Sequence, residues 1–90
     1  MSEISDNIIA HIRKITDDDS LSADGHNEDS LTGSYFKMDG VDMTYLLVEL
    51  STEYRLKLTY KDVENYAFNT INGIERIIRN HLNEHTFGNS

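Results

Sequence analysis

Val41-Asp42-Met43-Thr44-Tyr45-Leu46-Leu47-Val48-Glu49-Leu50-Ser51-Thr52-Glu53-Tyr54 places Met43, Leu46, Leu47, Leu50 and Tyr54 at i, i+3, i+4, i+7 and i+11. Those residues fall on one side of a helix, so the spacing predicts an amphipathic helix over 41–54. Upstream, Ile4, Ile8, Ile12 and Ile15, with Ile9 beside them, predict a first helix over 2–15. Ser2 or Ser5 is available to cap it, and Arg13 and Lys14 suit the negative end of its dipole. Downstream, Ile71, Ile74, Ile77, Ile78 and Leu82 predict a last helix over 70–82, capped by Asn69 or Thr70.

The segments between the helices are polar. Residues 17–40 carry the turn-forming clusters Asp17-Asp18-Asp19-Ser20, Asp24-Gly25-His26-Asn27 and Thr32-Gly33-Ser34, with Leu21, Leu31, Tyr35 and Phe36 as anchors. A loop of that length in a small domain normally has a reason. Tyr54 to Tyr60 alternates apolar and polar residues, but no second run is available to pair with it, so an extended connector is expected. Asp62 to Tyr66 has room for one short helical turn. The expectation is an all-α bundle of three main helices and one short one, in a single domain over 1–85 with a frayed tail over 86–90.

Ninety residues, 38% of them hydrophobic, suit one small core and no second domain. The formal charge of -8 opposes binding to phosphate backbones and anionic lipid surfaces. It favours a protein partner with a basic surface. There is no cysteine, which excludes disulfides, thiolate catalysis and Cys-ligated zinc. Without a leader-like or membrane-length apolar run, the expected state is a cytoplasmic monomer.

The charge is unevenly distributed. Residues 17–53 hold ten acids against Lys37 alone, while acids and bases nearly cancel in the rest of the chain. At about 100° per residue, Asp39, Asp42, Glu49 and Glu53 fall within about 80° of one another, an acidic stripe on the second helix. Val41 and Val48 flank the stripe and lie off the core line. Exposed apolar contacts inside an electrostatic rim suit a transient docking helix.

Met38-Asp39-Gly40-Val41-Asp42-Met43, then Leu46-Leu47-Val48-Glu49-Leu50, then Glu53-Tyr54-Arg55-Leu56-Lys57-Leu58, resembles the acyl carrier protein family. The family pattern is Leu-Asp-Ser-Leu-Asp-Leu, an acidic helix, then Glu-Phe-Gly-Ile-Glu-Ile, and the resemblance covers almost the whole chain. It implies an antiparallel four-helix bundle with a long first loop, docking biosynthetic enzymes through its second helix. The subset that resembles it most is the serine-lacking carrier relatives of bacterial peptide-maturation systems. In carriers a serine at the head of the second helix bears 4'-phosphopantetheine, and the matching position here is Gly40. Glycine has no hydroxyl to form the phosphodiester. The resemblance therefore implies a non-enzymatic module with no cofactor, whose Asp39, Val41, Asp42, Val48, Glu49 and Glu53 dock the basic surface of a biosynthetic or peptide-modifying enzyme.

Two rival readings involve the loop. Asp29-Ser30-Leu31 matches the attachment motif, so an arm on Ser30 or Ser34 would make a working carrier. Its context opposes this: the family's helix-closing aromatic comes fourteen residues after the serine, landing on Tyr54 from Gly40 but on Thr44 from Ser30. A cation-binding role for the 17–40 loop is the other rival. No calcium-loop register fits, since Gly25 or Gly40 at the sixth position puts Ser20 or Tyr35 at the first. His81 and His85 lack a third ligand, and His11 and His26, with no paired nucleophile, read as a surface and a turn residue.

Overall fold

A computed structural model describes residues 3–57 and 68–88, with side chains as far as Asn83. Its regular elements are three helices, α1 (Glu3–Thr16), α2 (Gly40–Tyr54) and α3 (Ile71–Gly88), and there is no strand among the described residues. None of these helices is long and apolar enough to cross a membrane. The expected short turn at Asp62 to Tyr66 lies outside the described residues, as do residues 58–60 of the expected connector.

The helical stripes form the core. Ile8, Ile9 and Ile12 of α1, Leu46 and Leu50 of α2, and Ile71, Ile74, Ile77 and Ile78 of α3 are buried together. Ile4, Ile15, Met43, Leu47, Tyr54 and Leu82 pack at its edges. Helix α1 lies between the other two and contacts both. Of the two capping residues expected for α3, Thr70 does the work: its Oγ1 accepts the Gly73 N–H at 3.0 Å. Asn69 instead reaches back to the loop. Ser5 lies buried within the first turn of α1 rather than ahead of it, and Ser2 is outside the described residues. At the other end α3 continues past Leu82 to Gly88.

Left-handed residues stop the first two helices. Asp17 (φ 56) follows α1, and the Asp18 N–H returns to Arg13 O at 3.1 Å. Arg55 (φ 54, ψ 44) follows α2, and the Leu56 N–H returns to Ser51 O at 2.9 Å. Both use the 6→1 bond that satisfies an orphan carbonyl at a helix end.

Among the described residues, the segment between α1 and α2 supplies five of the fifteen buried hydrophobic side chains. Leu21, Ala23, Leu31, Phe36 and Met38 are all buried; Ala23 and Met38 add to the expected anchors, while Tyr35 is half-buried. Backbone bonds secure it: the Leu31 N–H donates to Asn69 O (2.7 Å), Met38 N–H to Leu31 O (2.9 Å) and Asn72 N–H to Asn27 O (3.1 Å). The His26 ring stacks on Tyr35 with centroids 3.5 Å apart, and Tyr35 Oη accepts the Ser22 N–H at 2.9 Å. A chain without regular structure can line a core only when its polar backbone finds such partners.

Candidate docking face of the second helix

Helix α2 starts with a reciprocal cap. The Asp39 carboxylate accepts the Asp42 N–H at 2.8 Å, and the Asp42 carboxylate accepts the Asp39 N–H at 3.2 Å. Two orphan amides are satisfied at once, and both carboxylates lie at the positive end of the helix dipole. Gly40 follows as the first helical residue. A Cβ built there meets nothing within 4 Å, and its φ is outside the left-handed range. Neither space nor backbone conformation requires glycine at this position.

Beyond Gly40 the solvent side of α2 is apolar. Val41, Tyr45 and Val48 are the large hydrophobic residues left exposed, at 62%, 57% and 55%. They follow one another at i, i+4 and i+7, so they form one ridge along the helix. Thr44 and Thr52 extend it. Each hydroxyl is spent on the carbonyl one turn back, Thr44 Oγ1 to Gly40 O and Thr52 Oγ1 to Val48 O, both at 2.9 Å. With those hydroxyls turned inward to the helix backbone, the ridge is drier than its composition suggests.

The four carboxylates expected to rim this face all have partners within the chain. Asp39 and Asp42 are held by each other's amides. Glu49 and Glu53 turn toward α1, where the half-buried His11 ring lies between them, Nδ1 at 2.7 Å from Glu49 Oε1 and Nε2 at 2.6 Å from Glu53 Oε1. Lys14 Nζ adds a looser contact to the same Glu49 oxygen at 3.6 Å. His11, Lys14, Val48, Glu49, Thr52 and Glu53 line an open groove of about 320 Å³ between the helices. Glu49 and Glu53 therefore border the ridge on the α1 side, and Asp39 and Asp42 lie at the head of the helix.

Sequence reasoning found Val41 and Val48 but missed Tyr45 and His11. Tyr45 was legible, since it lies four residues after Val41 and off the core line. His11 was not, because its partners are 38 and 42 residues away along the chain.

Of the loop residues in the rival readings, Ser30 and Asp18 have side-chain partners within the chain. Ser30 Oγ accepts from Asn69 Nδ2 at 2.6 Å and lies 3.1 Å from Thr32 Oγ1, in a turn rather than at the head of a helix. Ser34 is exposed in the same loop. Asp18 binds the Ser20 hydroxyl and N–H, and these two bonds, the hydroxyl's first, hold its carboxyl below the usual carboxylate value. Among the described residues no three His, Asp or Glu side chains come together as a metal-ligand set.

No family model matches the chain, and no curated protein or solved structure matches it either.

Proposed function

We propose that this protein is an acyl-carrier-like docking module that has lost its arm: an α-helical bundle presenting α2 to the basic surface of a cytoplasmic biosynthetic or peptide-modifying enzyme, without carrying acyl groups itself. The observation that carries this reading is the Val41, Tyr45 and Val48 ridge, exposed beside an open helix-start position and bordered by carboxylates. Isolated exposed apolar residues are ordinary, but three aligned along one helix and turned away from the core support a contact surface. The chain's net charge of -8 selects a basic partner. The Met38–Met43 and Glu53–Leu58 sequences, which resemble the carrier pattern on both sides of α2, add the family argument.

The reading is tested by asking whether a carrier-modifying enzyme accepts the surface once a hydroxyl is restored. Wild type and Gly40→Ser are incubated with coenzyme A and a promiscuous phosphopantetheinyl transferase, and intact mass is measured. The expected result is that only the serine variant gains the arm, and that adding Val48→Lys to it abolishes the gain while leaving the helical circular dichroism unchanged. A folded Gly40→Ser protein that stays unmodified refutes the carrier-like surface. Modification of wild type refutes the lost-arm reading and directs peptide mapping to Ser30 and Ser34. Charge reversal at Asp42 or Glu49 is a poorer probe, because it also breaks the cap or the His11 contact.

A further inference from the structure

The side-chain cluster joining α1 to α2 has an unusual proton requirement. A carboxylate only accepts hydrogen bonds, and a neutral imidazole offers one N–H and one lone pair. His11 has a carboxylate oxygen at hydrogen-bond distance from each ring nitrogen, Glu49 at Nδ1 and Glu53 at Nε2. Both contacts are hydrogen bonds only when the ring is imidazolium, one positive charge between two negative ones. The two nitrogens face different carboxylates, so the three side chains do not converge on a shared point.

We propose that His11 is a proton-operated tie between α1 and α2: protonated, it holds both Glu49 and Glu53, and on losing a ring proton to solvent it keeps Glu49 and releases Glu53. The assignment of the two carboxylates follows from their surroundings. Glu49 is the less exposed, 25% against 37% for Glu53, and Lys14 also faces it. Proton loss at Nε2 leaves a lone pair opposite Glu53 Oε1, a repulsive contact, and Glu53 has open solvent in the adjoining groove to turn into. Lys14 is the other charged neighbour on α1, and on α2 the Tyr54 phenol also bonds Glu53. On α3, which packs against α1, Glu75 and Arg79 are paired with each other at 2.8 Å. Arg13 is directed away, its Nε donating to Leu21 O at 2.7 Å. Where α2 serves as the docking face, the released carboxylate makes its α1 border more negative as pH rises. The tie itself does not depend on that reading.

The test uses the full chain. Long-range ¹⁵N–¹H spectra of His11 follow the ring from pH 5.5 to 8.5, the range in which histidine charge normally changes. Urea unfolding of wild type, His11→Gln and Glu53→Gln is measured across the same range. Expected are two protonated ring nitrogens at the acidic end and a folding equilibrium constant that falls with pH relative to His11→Gln, by up to about tenfold per pH unit for a single proton. His26, His81 and His85 are common to all three proteins and cancel in the comparison. Glu53→Gln should flatten the dependence as well, since its amide can donate to the bare nitrogen. A single neutral tautomer at pH 5.5 overturns the proposal, and so does a wild-type stability profile parallel to that of Glu53→Gln. The spectra of wild type and the Glu53→Gln comparison decide the matter even if His11→Gln fails to fold.

Discussion

Leu31→Ala tests whether the segment before α2 is part of the core or a strap laid over it. Leu31 is fully buried, and its backbone is pinned on both sides, the N–H to Asn69 O and the carbonyl to the Met38 N–H. A pinned backbone cannot settle into the space left by the lost side chain. The cost therefore belongs in the middle of the usual Leu→Ala range, about 3 to 4 kcal/mol. A domain of this length has roughly 5 to 13 kcal/mol of stability in total, so the substitution removes a large share of it. At about 4–8 °C per kcal/mol for domains this small, Tm falls by roughly 12 to 30 °C. Urea titration followed by far-UV circular dichroism measures the change, with the midpoint moving and the m-value constant. Val48→Ala is the paired control, an apolar truncation on α2 at an exposed site, expected to stay within about 0.5 kcal/mol of wild type. A loss below about 1 kcal/mol for Leu31→Ala would refute the reasoning, because a fully buried leucine in a rigid wall cannot be that cheap to remove.

Two further predictions concern the end of α2. Arg55 holds φ 54, ψ 44, a left-handed conformation that costs a side-chain-bearing residue about 1–2 kcal/mol. Glycine avoids that strain but loses about 0.5–1 kcal/mol of additional chain entropy, so Arg55→Gly should stabilise the fold by about 0.5–1 kcal/mol in the same urea assay; a destabilised variant would show that the arginine side chain outweighs the strain. Burial raises the Tyr54 phenol above its ordinary value of 10.0, with Asn7 Nδ2 donating to its oxygen at 2.9 Å as the opposing influence. The folded state thus favours the neutral phenol, and the stability this contributes is intact below pH 10 and is lost as pH climbs through the raised value. Between pH 9 and 11.5 wild type should lose Tm more steeply than Tyr54→Phe, and parallel curves would remove Tyr54 from the account.

Several features of the molecule were fixed by local sequence alone. The isoleucine and leucine spacings define the buried stripes of all three helices, because a helical face depends only on the 3.6-residue repeat and not on what it packs against. The Asp39 and Asp42 spacing implies the cap at the head of α2 in the same way, and the off-stripe positions of Val41 and Val48 imply their exposure. Tertiary structure decided what periodicity cannot carry. Ala23 and Met38 are core residues because a loop without repeat was bonded to the entry of α3. Glu49 and Glu53, read as one acidic stripe with Asp39 and Asp42, face His11 because the packing of α1 on α2 brings together groups 38 and 42 residues apart. Contacts over such separations depend on how the helices are placed against one another, which no single segment encodes.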